Sequence, residues 1–504
     1  MHATTRAVRS RDRWRDKAKE RSVQGCESRK EVKRQLARVH MRDEKIRDLS
    51  EQVAAARAEV AAFRQRVSTI ASPPVSAQQT RARCVVLVIF AVISFRAVPR
   101  VLALMALWSV NGLQWIPHFT SVINWTLRVG LSLLTGVQPI ADPWVAIIDM
   151  SIDVAVKKAL VVLRVKLSAL ADRGGAIALA DAQCVGVEVS ESWNGVDVAA
   201  ALGRIFAKAG NPAAILKDKG GDLRKGARLW QEDEKNAAKD VKIIDDVGHV
   251  AANALKAMFA KLDAFKKMLA AATKGAAKIR QSQLAYLTPP KIRTKGRFQS
   301  ISKLATWGIR ILDIIGGSGR KEDDSTAAKL QEFMPGFGVH RPILHRLAWC
   351  TTIINGVLDV LKNGGLCSET YDFSKKMLGE LPETCKARRK LFAWLEDTWR
   401  IHQSLGIDGL RLPVSSDILE SLFGKLKVML ARNPKAEFNR IILATPCLCG
   451  TLDEAAVDRA LREISHQDLE RWEAKKVGET QHRKRRAAFA ELDAAAGPKV
   501  RKAG

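Results

Sequence analysis

Residues 144–167 read WVAIIDMSIDVAVKKALVVLRVKL. Two apolar, β-branched runs, WVAIID (144–149) and KKALVVLRVKL (157–167), flank a short polar stretch, as the two strands of a hairpin do. CVGVEVSESW (184–193) supplies a third candidate strand. VDVAAALGRIFAKAG (196–210) then has helical spacing and stops at Gly210-Asn211-Pro212, a helix-ending signal. AAILK (213–217) and KIID (242–245) read as a fourth and a fifth strand. The expected order is three antiparallel strands, a helix, then strand, helix, strand.

That order is the one an RNase H-like domain has, so the expected class is an α/β core of this kind. Outward from it, residues 251–405 are almost wholly helical in pattern and are expected to be a large all-α insertion. The core would thus run over 140–250 and finish over 406–445. Upstream, residues 1–75 form a basic arm in which Ile46, Leu49, Val53, Ala56 and Val60 recur at three- and four-residue steps. Such a stripe fits a coiled-coil seam and fits a solitary solvated helix equally. Ser72-Pro73-Pro74 breaks it as a linker. Residues 80–138 read as two or three short helices. The last, capped by Thr120 or Ser121, would carry Asn124, Trp125 and Arg128 on one side and Leu127, Val129, Leu131 and Leu134 on the packed side, as in a helix-turn-helix reader of the major groove. Residues 446–504 are helical and basic, and the last of them (from His482) are expected to be a disordered tail.

The 504 residues hold 83 Lys and Arg against 53 Asp and Glu, a formal charge of +30. Such an excess gathers polyanions, which makes double-stranded DNA the first partner to consider. VVLVIFAVISF (85–95) is too short to span a bilayer and runs into Arg96 and Arg100, so it is expected to be a buried helix and no membrane role is expected. The Arg-rich first residues lack the apolar run of a secretory signal. Eight cysteines show no paired spacing, and Cys447-Leu448-Cys449 stands without a second pair or a histidine cluster, so a reducing cytosol is the expected setting. The Gly-rich IIGGSGRKEDD (314–324) lacks the Lys-Ser/Thr of a phosphate-binding loop and reads as a plain loop. Trp193 and Trp307 read as core residues more readily than as base-stacking ones.

Three acids fall at special places. Asp149 ends the first strand run, Asp218 follows the fourth, and Glu420 lies on the helix of SSDILESLFGKLK (415–427). Strands one and four are neighbours in the expected sheet, so these carboxylates would meet with a helix packed across them. Such a set suits two Mg²⁺ ions, with Mn²⁺ as a substitute: hard cations take oxygen ligands, and a pair roughly 3.5–4 Å apart promotes phosphoryl transfer. Each acid has an ordinary reading as well. Asp149 and Asp218 could simply end their strands at turns, and Asp417 with Glu420 matches a capping box. Asp153 and Asp222 compete with the two aspartates but do not directly end a β-run. Leu419, Leu422, Phe423, Leu426 and Leu430 make the apolar face of the last helix, leaving Glu420, Lys425 and Lys427 for metal and DNA phosphate. His249 is expected either to orient a metal ligand or phosphate, or to belong to its helix cap.

The segments IIDMSIDVAVKKALVVLRV, SESWNGVDVAAALGRIF, NPAAILKDKGGDL, IIDDVGHVAANAL and SSDILESLFGKLK resemble the successive blocks of insertion-sequence transposases of the Asp-Asp-Glu class, which are similar in core to retroviral integrases. SFRAVPRVLAL and SVINWTLRVGL resemble the helix-turn-helix region ahead of such cores. The likeness covers residues 80–440 discontinuously. It implies Asp149, Asp218 and Glu420 as first, second and third acid, and an enzyme that binds element ends, cleaves a strand with water and joins the freed 3′-hydroxyl to target DNA. It further implies a homo-oligomer and a bacterial, nucleoid-associated, cytoplasmic setting. A catalytically inactive DNA-binding descendant is the alternative. Asp218 and Glu420 stand about 200 residues apart, which the all-α insertion would explain.

Overall fold

The computed structural model describes residues 43–59, 75–107, 115–150, 157–170, 176–291, 298, 300–316, 324–407, 409–430, 440–478 and 481–495. The chain divides into two compact units, Met1–Ser76 with Val101–Trp115, and Ala77–Arg100 with Ile116–Gly504. In the first, residues 43–59 form helix α1, whose Ile46, Leu49 and Val53 are exposed along one stripe. Val60 of the expected seam lies outside the described residues. Among the described residues, no helix is long and apolar enough to cross a membrane.

The larger unit is built on a five-stranded mixed sheet of β1 (Trp144–Met150), β2 (Lys158–Lys166), β3 (Ala182–Ser190), β4 (Ala214–Lys217) and β5 (Lys242–Asp245). Their order across the sheet is β3-β2-β1-β4-β5. β1, β2 and β3 pair antiparallel, and β4 and β5 continue parallel to β1. The five expected strands are all present, the first three antiparallel as expected; the link over 151–156 lies outside the described residues.

Alternation along the strands covers both faces. Trp144, Ala146, Ile148, Leu160, Val162 and Ile215 pack into one core with α5 (Gly195–Ala209) and α6 (Gly221–Glu232), around Phe206 and Trp230. Asn194 caps α5 by accepting from the Val196 and Asp197 N–H groups, and Gly210, at φ +82°, ends it as its sequence predicts. The opposite face lies under α4 (Phe119–Thr135), α14 (Asp417–Leu430) and α15 (Ala444–Cys447). Leu127, Val129 and Leu131 of α4 are buried, as expected. Its cap is His118 rather than Thr120 or Ser121: the imidazole Nδ1 accepts from the Thr120 N–H, and the helix has already begun at Phe119.

Between β5 and α14 the described residues are mostly helical, with α7 (Val247–Phe259), α9 (Ile301–Ile315), α11 (Arg341–Gly364) and α13 (Lys386–Ser404) among the helices, as the pattern over 251–405 predicts. Trp307 is buried there, its Nε1 donating to the Leu287 carbonyl at 2.7 Å. The stretch VVLVIFAVISF behaves differently from expectation. Helix α2 (Ala77–Ile89) stops at Ile89, and Val92 turns the chain at φ +51°. The expected disorder of the last residues needs a second correction: Gln481–Ala495 forms helix α18. Its Arg, Ala and Glu residues favour helix locally, without Pro or Gly to oppose it. Cys447 and Cys449 are buried, and burial pushes both thiols up, Cys449 to about 12.

Candidate active site

The sheet register places the first two acids. Ile148 pairs with Lys217, and Lys217 with Asp245, as one row across β1, β4 and β5. One step further stand Asp149, Asp218 and Asp246, three aspartates on neighbouring strand ends roughly 4.8 Å apart. This is the carboxyl edge of the three parallel strands, where open α/β sheets place ligand sites. Asp149 has the parity of Val145 and Ile147, so it faces away from α5 and α6, toward the side on which α14 lies against β1.

Each acid is held locally. The Met150 N–H donates to Asp149 Oδ1 at 2.7 Å. Asp218 accepts from the Gly220 N–H, and a Cβ on Gly220 would come within 2.7 Å of that carboxylate, which explains the glycine after Lys219. Glu420 is exposed in the first turn of α14, while Leu419, Leu422, Phe423 and Leu426 are buried. Asp417 is the first residue of α14 rather than the residue before it. Its carboxylate pairs with Lys362 of α11 at 2.7 Å and 2.9 Å, so the turn that carries Glu420 is tied to the helical region. Asp153 lies outside the described residues, and Asp222 is exposed in the first turn of α6.

Charge crowding marks the centre. Burial pushes the Asp149 carboxyl up to about 6, with the Asp218 charge adding to it; the Met150 N–H and His249 oppose, and Glu420 raises it further. Asp149 therefore feels the charges of both other acids. Among the described residues, however, no three His, Cys, Asp or Glu side chains are drawn together closely enough to enclose a metal ion. Carboxylates are the right donors for a hard divalent cation, and such a cation would relieve the part of the Asp149 rise that the Asp218 and Glu420 charges contribute.

His249 sits in the first turn of α7, with Nε2 3.9 Å from Asp218 Oδ2 and Nδ1 2.9 Å from Asp246 Oδ1. The hydrogen bond to Asp246 raises its pKa; burial opposes, and the charges of Asp246, Asp218 and Asp149 add to the rise. A polar cavity of about 180 Å³ opens beside it, lined among others by His249, Ser302, Asn355, Lys362, Asp417 and Glu420. Lys217, only 1% exposed, is paired with Asp245 at 2.5 Å beneath the edge.

The expected DNA contacts divide in two. Lys425 and Lys427 lie on α14 one to two turns beyond Glu420, Lys427 exposed and Lys425 half-buried. Arg128 and Asn124 are each hydrogen-bonded to other parts of the chain. The Arg128 guanidinium donates to the carbonyls of Leu461 and Ile464, at the end of α16 (Glu454–Glu463), and Asn124 bonds to His466 of the following helix. Asp246 and Ser416, both central to the geometry, were not anticipated from the sequence. A second aspartate after Asp245 was their visible signal, and it reads equally as an ordinary helix cap.

No family model matches the chain, and no curated protein matches it. Among solved structures it is similar to a Drosophila P element transposase strand transfer complex, at 12% sequence identity and a TM-score of 0.41, over 81% of this chain and 98% of that one.

Proposed function

We propose that this chain is a DNA transposase of the Asp-Asp-Glu class, cutting and joining strands by phosphoryl transfer on an RNase H-like core. The observation that carries the reading is the adjacency of Asp149 and Asp218 at the carboxyl ends of β1 and β4, with the helix of Glu420 lying across β1. The β3-β2-β1-β4-β5 order with two parallel additions, and the helical stretch between β5 and α14, support the fold assignment. The formal charge of +30 supports double-stranded DNA as substrate and target.

In this reading Asp149, Asp218 and Glu420 would hold two Mg²⁺ ions, for which Mn²⁺ could substitute. When bound, these ions make the attacking hydroxyl more nucleophilic and offset charge on the leaving oxygen. The protein's own groups do the rest. Lys425 and Lys427 attract the DNA backbone past Glu420, and His249 presents Nε2 beside Asp218, where it can donate to a phosphate oxygen. The reading includes a homo-oligomer, since paired ends are processed together, and the exposed Ile46, Leu49 and Val53 stripe of α1 supports it.

The test is direct. Full-length protein is incubated with Mg²⁺ and duplexes carrying the DNA that flanks its coding region, and nicked and joined products are resolved by size. Wild type is expected to give both products. Asp149→Ala, Asp218→Ala and Glu420→Ala are each expected to abolish cleavage while duplex affinity stays near wild type, because affinity comes from many Lys and Arg contacts. A variant that still cuts fully removes its residue from the set. Binding without any cutting by wild type identifies an inactive DNA-binding descendant instead.

A further inference from the structure

The third aspartate of the edge row is the most heavily bonded side chain near the acids. Asp246 is 2% exposed. Its Oδ1 accepts from the His249 backbone N–H at 2.8 Å and lies 2.9 Å from the His249 Nδ1. Its Oδ2 accepts from the Ser416 N–H at 2.7 Å and from the Ser416 hydroxyl at 3.1 Å. Its own N–H donates to the Lys217 carbonyl at 2.8 Å, and the next N–H, of Val247, donates to Val414 at 2.9 Å. Asp218 directly follows Lys217, His249 is three residues beyond Asp246, and Glu420 is one helical turn beyond Ser416. Asp246 therefore joins the three segments that carry them.

We propose that Asp246 is the positioning residue of the site, holding the His249 imidazole with Nδ1–H inward and Nε2 toward Asp218, and anchoring the start of α14, the helix that carries Glu420 against β1. This role rests on the proposed phosphoryl-transfer reaction for its kinetic consequence, and on geometry alone for its hold on the imidazole. The chemistry requires an ionised carboxylate. Four donors converge on two oxygens, and only a group that accepts on both sides satisfies all of them. An asparagine accepts on one side and presents an NH₂ to the donors on the other.

The same difference separates positioning from simple helix capping. Asn caps a helix as well as Asp does, so a pure cap at Asp246 would tolerate Asp246→Asn. The experiment uses the full chain as wild type, Asp246→Asn and Ser416→Ala. Imidazole ¹⁵N spectra are recorded above pH 8, with the His249 signal assigned by its loss in His249→Gln, and Mg²⁺-dependent cleavage of the flanking-DNA duplex is measured. Wild type is expected to show the Nδ1–H tautomer alone. Asp246→Asn is expected to show mixed tautomers and a kcat lower by about 10–100-fold, with KM for DNA near wild type. Ser416→Ala, which removes one donor and spares the fold, is expected to lower kcat by about 3–10-fold. If Asp246→Asn does not fold, Ser416→Ala decides alone, and a wild-type kcat there overturns the proposal. So does an Asp246→Asn protein with wild-type kcat and an unmixed Nδ1–H signal. Failure of wild type to cut DNA overturns the reaction reading and the kinetic role with it, and the tautomer of His249 then decides the positioning by itself.

Discussion

Asp149 shows how far burial, with the charges of its neighbours adding to it, can displace one carboxyl. With its pKa raised to about 6, the group favours its protonated form in the fold. A carboxyl raised in this way adds stability while protonated. That contribution is lost as pH climbs from its ordinary value near 4 through about 6. Without divalent ions, Asp149→Asn is therefore expected to be more stable than wild type at pH 7.5, on the order of 2 kcal/mol, and equal to it below pH 4. Thermal melts in chelator at both pH values check this, and an unchanged melt at pH 7.5 would show that burial and the neighbouring charges do not penalise the ionised Asp149. Asp149 and Asp218 were legible in the sequence because each directly terminates an apolar run, and a strand end is a fixed place in a sheet. Asp246 was not. Its distinction lies in Ser416, 170 residues away, and no local pattern records so distant a partner.

At the level of elements, strands and helices followed from periodicity because each buries a face whose spacing is written locally. What periodicity could not give is which surface covers a given face. Helix α4 was expected to present Asn124 and Arg128 to DNA, yet the partner of Arg128 is Ile464, 336 residues further on. The tightest contact of α4 is with the turn before α15. Gly130 is packed so closely there that a Cβ would overlap the Leu443 carbonyl oxygen, with the Cys447 sulfur behind it. Gly130→Ala must push the two elements apart and is expected to cost about 2 kcal/mol or more, as overpacking does. Chemical denaturation gives the number. A neutral result would mean that α4 and the 440–447 segment separate freely, and the described packing would be wrong.

For the whole molecule, the excess of basic over acidic residues should dominate how it meets nucleic acid. Fluorescence anisotropy with a random-sequence duplex is expected to show affinity falling about 10³-fold between 50 and 200 mM salt, as released counterions are returned. A flat response would exclude the phosphate backbone as the principal contact. The tie between Asp246 and Ser416 has a consequence of another kind, in time. Translation proceeds at about 5–20 residues per second, so β5 leaves the ribosome roughly 10–30 seconds before the stretch that closes on it. Through that interval the growing polypeptide carries two acids and an unfilled berth for the third. The proposed triad can therefore form only after residue 420 has been made.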